Sequence, residues 1–293
     1  MGGLVMKALP YIAVLLAAML WGTTGTTQTF LQEGISPFAV ACVRSGIGGG
    51  VLLILAVLIG KMNWRYWPWK WTIVAALSIA LFQCLFFSSI RFTGVAIGTV
   101  VTIGSAPVFA GILEWLVWKV KPTRIWAVAT SFAITGCVLL FVNRGEAVVD
   151  LFGVGLALGG GLMFALYTNV SKQLTKSAET LPAVAMTFSL CALFLIPLAL
   201  IDGVTWIGNM QNLVPMLYMA IMTTSVAYLL FLGGLRLVSP SAAVTLSLAE
   251  PLTAALLGVF FLGEYLSWTS WGGVLLILGG ILVMTFGSRT VSE

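Results

Sequence analysis

Long apolar runs, separated by short polar, glycine or proline stretches, recur from one end of the 293-residue chain to the other. Each run approaches the roughly 20 residues that an α-helix needs to cross about 30 Å of hydrocarbon. No stretch between runs is long enough to fold as a separate domain, so the pattern predicts an all-α membrane protein. The ten predicted transmembrane helices span residues 9–30, 36–60, 70–90, 95–118, 123–142, 151–174, 181–201, 213–234, 240–262 and 267–286, and nine is the alternative count.

Composition supports a bilayer environment and disfavours several kinds of active site. Apolar residues make up 60% of the chain and charged residues only 8%, more apolar surface than water tolerates. The chain contains no histidine, and its aspartates, Asp150 and Asp202, fall in predicted loops. We therefore expect no metal site, no cofactor and no enzymatic activity. The four cysteines lie inside predicted helices without CxxC spacing, which indicates small buried side chains and no disulfide.

The distribution of Lys and Arg predicts the orientation of the chain. With a cytoplasmic N-terminus, the outside loops hold only Arg91 and Arg144, and Arg44 falls inside a helix. This bias places both termini in the cytoplasm and the chain in the cytoplasmic (inner) membrane, and the net charge of +5 needs no nucleic-acid partner. The eleven cations assigned to the inside are Lys7, Lys61, Arg65, Lys70, Lys119, Lys121, Arg124, Lys172, Lys176, Arg236 and Arg289.

The two halves of the chain resemble each other. Residues 98–140 align with 242–284, which brings Ala106-Pro107 onto Glu250-Pro251, and Trp21-Gly22 aligns with Phe164-Ala165. We infer two five-helix repeats, residues 1–146 and 147–293. Because five is odd, the second repeat enters the membrane from the other side, and such inverted repeats can alternate access to a site near the midplane. Alternatively, the duplication built only a stable bundle.

Several short motifs carry a family resemblance over essentially the whole chain. They are Trp21-Gly22, Pro37 followed by Arg44, Ala106-Pro107, Ala249-Glu250-Pro251, Leu262-Gly263-Glu264 and the glycines of the last helix. In their order and spacing they resemble the drug/metabolite transporter superfamily, specifically its ten-helix EamA-type members, similar to YddG-type amino-acid exporters. The segment Trp118–Pro122 departs from the Gly-Glu usual there. The resemblance implies export or exchange of small organic solutes such as amino acids, purines, amines or drugs.

Three ionisable residues fall inside predicted helices, where charge is costly and commonly functional: Arg44, Glu114 and Glu250. Glu250 directly precedes Pro251, whose ring frees a backbone carbonyl four residues back, so a local break beside a carboxylate is expected. Glu250 either contacts the substrate or a coupling proton, or anchors a neighbouring helix. We interpret Arg44 and Glu114 as gating or structural charges, and Pro107 and Pro251 as bending points.

Uncharged polar side chains indicate a shared cavity. Trp21, Thr24 and Gln28 follow helical spacing and present one face, although each such residue is also compatible with a helix–helix hydrogen bond. A cavity with aromatic walls and few charges suits a neutral or zwitterionic solute. The candidate substrate-binding residues are Trp21, Thr24, Gln28, Gln83, Thr99, Tyr167, Asn169, Tyr228 and Glu250.

The sequence therefore predicts a secondary transporter, an exporter or exchanger of small metabolites with amino acids foremost, acting by alternating access. A passive channel or facilitator is the alternative function, and a membrane enzyme is the least favoured. The expected partners are a small-molecule substrate and the lipid bilayer. Glycine pairs such as Gly46/Gly50 indicate packing within the chain, so we expect a monomer or a weak dimer.

Overall fold

The predicted apolar runs form helices. A computed structural model of the protein describes residues 2–141, 150–263 and 265–287, and within these ranges every regular element is helical. Nine stretches of the described chain are long and apolar enough to cross a membrane. The elements are α1 (Gly2–Gln28), α2 (Pro37–Leu58), α3 (Trp69–Trp118), α4 (Arg124–Phe141), α5 (Leu151–Ser177), α6 (Thr180–Asp202), α7 (Met210–Tyr218), the π-helix Met219–Val226, α8 (Ala227–Leu235), α9 (Pro240–Leu246), α10 (Ala249–Leu262) and α11 (Trp268–Gly287), with short 3₁₀ turns at Trp64–Tyr66 and Thr205–Gly208.

The count of crossings depends on α3, which has 50 residues. At 1.5 Å per residue it would extend about 75 Å, more than twice the thickness of the hydrocarbon core. Gly94, with φ 78° and ψ 165°, is its one non-helical residue, so α3 turns back there and crosses twice. The described ranges therefore make ten crossings, as predicted, rather than the alternative nine. The break lies at Gly94, whereas Pro107, a predicted bending point, keeps helical backbone angles.

Helix packing follows the symmetry expected of inverted repeats. α2 packs against α6, and α4 against α11, so each of these helices meets its own repeat counterpart. The contact of α3 with α5 is mirrored by the contacts of α1 with α8 and α10. At the α4–α11 crossing a Cβ on Gly136 would lie 2.6 Å from the carbonyl oxygen of Gly273, so these backbones approach as only glycine permits. The predicted repeat boundary at residues 146 and 147 lies outside the described residues.

The basic connections gather on one face of the bundle. Lys61 Nζ forms a 2.7 Å ion pair with Glu179, which joins the α2–α3 and α5–α6 connections, and Lys172 binds carbonyls of the α8–α9 connection. We call this the basic face. On the opposite face, the α1–α2 connection and α7 are joined by paired hydrogen bonds of 3.0 Å between Gln32 and Asn212. Arg144, Glu264 and Arg289 lie outside the described residues.

Two crossings are interrupted partway along their length. The eighth crossing passes from α7 through the π-helix to α8, and Ser225 Oγ in the π-helix donates a 3.0 Å hydrogen bond to the carbonyl of Gly48. The ninth crossing breaks between α9 and α10, where the Glu250 amide donates to the carbonyl of Ser247 at 2.9 Å. The predicted break beside Pro251 is thus present only as a two-residue turn: Ser247 and Leu248 keep right-handed helical angles, and the Ser247 carbonyl is not left free. The four cysteines are free thiols, also as predicted.

Candidate functional site

A cavity of about 690 Å³ lies between the two halves of the bundle. This volume is within the range of about 300–1,000 Å³ typical of small-molecule sites. α1, α2, α3, α5, α8, α9 and α10 all contribute to its wall. The lining runs from Trp21 and Phe164 in the middle of the bundle to Thr29, Pro37 and Val95, exposed residues at helix ends on the opposite face. The polar or charged lining residues include Thr24, Gln28, Arg44, Gln83, Thr99, Thr102, Ser247 and Glu250.

Aromatic rings close the inner end of the cavity. The Trp21 ring lies 4.7 Å from Tyr228, 5.1 Å from Phe231 and 6.0 Å from Phe164, measured between ring centroids. Phe82 adds a further contact at 5.2 Å from Phe164. These separations are typical of favourable ring packing. We call Trp21, Phe164, Tyr228 and Phe231 the aromatic floor. Beyond it, α5 continues from Phe164 towards the basic face.

Arg44 projects from the opposite-face half of α2 into the cavity wall. Pro37 begins this helix, and the Ser36 hydroxyl accepts from the Phe38 amide at its first turn. Arg44 Nη2 donates a 2.8 Å hydrogen bond to Gln83 Oε1 on α3. The structure places the Arg44 side chain in the wall of the central cavity, and its gating or structural role stays a prediction.

Glu250 faces the cavity from the first turn of α10, next to the break in the ninth crossing. Within the described residues its carboxylate accepts no hydrogen bond and forms no ion pair, even with Arg44. Arg44 and Glu250 are nevertheless close enough to interact electrostatically. They are the only cation and the only anion among the described lining residues. The cavity thus presents one positive and one negative group in otherwise apolar and neutral surroundings.

The predicted binding residues divide into two groups. Seven of the nine line the cavity: Trp21, Thr24, Gln28, Gln83, Thr99, Tyr228 and Glu250, and Pro251 lies beside them. Tyr167 and Asn169 do not, because both are buried behind the aromatic floor on the basic-face side. Asn169 Nδ2 donates instead to the carbonyls of Ala110 and Ala165, at 3.3 and 3.0 Å.

The predicted gating residues also divide. Glu114 is buried near the basic face, where its Oε2 accepts a 3.2 Å hydrogen bond from the Ser241 amide at the start of α9. In the described part of the chain Glu114 forms no ion pair with the nearby cations Lys119 and Lys121. Pro107 is buried in α3 outside the lining, and a gating role for it stays a prediction.

Sequence reasoning missed part of the aromatic wall. Phe82 and Phe86 lie one helical turn apart on α3 and flank Gln83 in the lining, with ring centroids 5.7 Å apart. Their i, i+4 spacing next to a predicted polar ligand was the available signal. Among the described residues no group of three or more His, Cys, Asp or Glu side chains is placed to hold a metal ion.

Comparisons with known proteins extend over nearly the whole chain. The model of the EamA-like transporter family matches twice, at residues 8–142 and 151–286. The chain is 44% identical over 276 residues to the uncharacterized transporter YwfM of Bacillus subtilis (strain 168), covering 94% of this chain and 93% of that protein. It is 26% identical to protein PecM of Dickeya dadantii (strain 3937), covering 92% and 89%. A protein of solved crystal structure shares the fold, with a TM-score of 0.83 at 17% identity over 97% of this chain and 99% of the other.

Proposed function

Because the chain belongs to the EamA-like transporter family, we propose that it is a secondary transporter that exports or exchanges amino acids and similar neutral or zwitterionic solutes. Transport proceeds by alternating access to the central cavity. The protein resides in the cytoplasmic membrane with both termini in the cytoplasm, so the basic face is cytoplasmic and the cavity is reached from outside. The one observation that carries the proposal is that Arg44 and Glu250, one positive and one negative, line the same cavity without contacting each other.

The charges of this wall match those of an α-amino acid. A guanidinium binds a carboxylate through directional hydrogen bonds, and a carboxylate accepts from an ammonium group. Arg44 and Glu250 do not neutralise each other by direct contact, so each is available to a charge on the solute. Because the two wall charges sum to zero, a solute without net charge leaves the occupied cavity neutral. Polyphosphates and inorganic ions lack this complementarity.

The remaining wall suits an organic solute with an apolar part. Trp21, Phe82 and Phe164 offer ring surfaces to such a part. Trp21 Nε1 and Thr102 Oγ1 are buried in the wall and have no hydrogen-bond partner among the described residues. Buried polar atoms are usually paired, so these two groups are suited to bind polar atoms of the solute.

Counterflow in proteoliposomes tests the proposal. Purified protein is reconstituted into vesicles loaded with one unlabelled solute, and uptake of the same radiolabelled solute is followed across a panel of amino acids, purines and amines. We expect accelerated uptake of at least one amino acid, and loss of most of it in Glu250→Gln. Glu33→Gln, which removes an exposed acid from the α1–α2 connection, is the matched control and should transport normally.

Other outcomes would point elsewhere. A passive channel or facilitator pore would equilibrate labelled solute at a rate that internal unlabelled solute does not accelerate. Acceleration by purines or amines alone would retain the carrier mechanism and contradict the assignment of amino acids. The orientation is tested with an engineered cysteine at an exposed basic-face position, such as Lys176→Cys. If an impermeant thiol reagent labels this cysteine in intact cells, the basic face is not cytoplasmic.

A further inference from the structure

We propose that Tyr167, Asn169 and Ser171 line the transport path when it opens to the basic face, and that Lys172 and Arg236 form the gate that closes this path in the present structure. The inference rests on the alternating access proposed above and adds the residues of the second path. It is carried by three independent features: unpaired buried polar atoms, the repeat alignment, and the contacts of the two cations.

The first feature is a set of buried polar atoms between the aromatic floor and the basic face. Within the described residues Tyr167 Oη, Asn169 Oδ1 and Ser171 Oγ make no hydrogen bond of standard geometry, and the one near partner of Tyr167 Oη is Ser171 on the next turn of α5. All three residues are at most 2% exposed. Such atoms are rare because burial removes water without replacing it. A second conformation in which this face of α5 meets water or solute explains why polar side chains occupy it.

The second feature is the position of these residues in the repeat. Trp21 of the first repeat aligns with Phe164 of the second, at an offset of 143 residues. The same offset pairs Thr24 with Tyr167, and Gln28 with Ser171. Thr24 and Gln28 line the open cavity on the opposite-face side. When inverted repeats exchange conformations, equivalent residues exchange surroundings. Tyr167 and Ser171 then become the lining on the basic-face side.

The third feature is the set of contacts that holds the basic face shut. Lys172 Nζ, on α5, donates to the carbonyl oxygens of Leu235, Arg236 and Val238 at 2.7, 2.9 and 3.0 Å. In return, Arg236 Nη2 donates to the carbonyls of Thr175 and Ala178 at 3.2 and 2.9 Å. These reciprocal bonds join the end of α5, which follows directly after Ser171 in the chain, to the α8–α9 connection. Opening the path requires all five to break.

The repeat equivalent of Arg236 behaves differently. Arg91 aligns with Arg236 and lies next to the Gly94 break, on the face where the cavity is open. In the described part of the chain Arg91 is exposed and makes neither a hydrogen bond nor an ion pair. A gate is expected to bind its arginine on the closed face and to release the equivalent arginine on the open face. Arg236 and Arg91 differ in this way.

Thiol accessibility tests the inference without any solute. Ser171→Cys is labelled with a membrane-impermeant maleimide applied to the basic face in inside-out vesicles, with the unsubstituted protein as background for the four native cysteines. We expect slow labelling with the gate intact and about tenfold faster labelling when Lys172→Met is added, because loss of the gate contacts shifts the population towards the basic-face-open form. Arg236→Gln, which breaks the gate from the other element, should have the same effect.

Controls and contrary outcomes are defined by the same assay. Lys176→Met removes an exposed lysine one turn further along α5 and should leave the Ser171→Cys rate unchanged. Gln28→Cys should react from the opposite side and slow down when the gate is broken. Gate variants with wild-type thermal stability that leave both rates unchanged overturn the inference, as does labelling of Ser171→Cys from the opposite side. A negative labelling result does not affect the assignment of amino acids by counterflow. Failure of amino-acid counterflow, in turn, does not affect the interpretation of the labelling rates.

Discussion

Arg44 and Gln83 are joined by a 2.8 Å hydrogen bond in which Nη2 donates to Oε1, and this bond crosses from α2 to α3 inside the cavity wall. Gln83 Nε2 in turn donates to Cys191 Sγ on α6 at 3.4 Å. The amide of Gln83 therefore connects three helices and orients the guanidinium. An arginine has five N–H donors, so most of them remain for the cavity after this bond is made.

The first prediction follows from this orienting bond. Gln83→Leu leaves Arg44 in place but without its acceptor, and a hydrogen bond to a charged group contributes about 1.5–3 kcal/mol. We expect the half-saturation concentration for counterflow to rise about tenfold or more, with a smaller change in maximal rate. Gln211→Leu, at an exposed position at the start of α7, is the control. Unchanged half-saturation in Gln83→Leu would show that the orientation of Arg44 is irrelevant to binding.

The second prediction separates the roles of the two cavity charges. Arg44 is proposed to bind the solute carboxylate and Glu250 its ammonium group. A variant of either residue should therefore weaken binding only of compounds that carry the matching charged group. We expect Arg44→Gln to weaken inhibition of counterflow by the free amino acid about tenfold or more and to affect its amide derivative little. Glu250→Gln should spare the N-acetyl derivative instead. Equal losses for all three compounds in both variants would contradict the assignment of ends.

The third prediction concerns the aromatic floor. Trp21 contacts Tyr228, Phe231 and Phe164 and separates the open cavity from the buried polar face of α5. Removing a buried tryptophan costs about 3–5 kcal/mol and leaves a void. In Trp21→Ala we expect downhill leak of labelled solute that no longer depends on solute in the vesicle, whereas Trp21→Phe should keep coupled exchange. Trp69→Ala, at a partly exposed position on the basic face, controls for general loss of an aromatic ring.

The membrane architecture was predictable from sequence because each crossing is specified by local hydropathy. The ends of α2, α4 and α11 all lie within two residues of their predicted bounds. The turn between the third and fourth crossings was also anticipated, although α3 continues as one helical stretch on either side of Gly94. What hydropathy does not encode is which face of each helix meets the cavity.

The site was predictable only in part, since under the alternating access proposed above the chain has more than one lining. Trp21, Thr24 and Gln28 follow a helical period, and their shared face is the one that lines the cavity. Tyr167 lies on the equivalent face of α5 yet is fully buried here, because the contacts of Lys172 keep that side closed. Arg44 was interpreted only as a gating or structural charge, because whether a side chain meets a cavity depends on helix packing that one sequence does not reveal. The pattern of polar residues in the sequence identifies which helix faces are candidates for the lining. The conformation of the protein determines which of these faces meets the cavity.

A pair of glycines on α2 provides a stability prediction with an internal control. A Cβ on Gly48 would lie 2.5 Å from the carbonyl oxygen of Ala220 in the π-helix and 3.1 Å from Ser225 Oγ, which bonds to the Gly48 carbonyl. Backbone cannot yield as a side chain does, so Gly48→Ala should cost at least about 1–3 kcal/mol of stability, as overpacking does. A Cβ on Gly50 would meet no atom within 4 Å, so Gly50→Ala should be neutral or gain up to about 1 kcal/mol from helix propensity. Thermal unfolding of the purified protein in detergent measures both. If the Gly48→Ala and Gly50→Ala proteins unfold at the same temperature, α2 and the π-helix do not pack closely enough at Gly48 to exclude a Cβ.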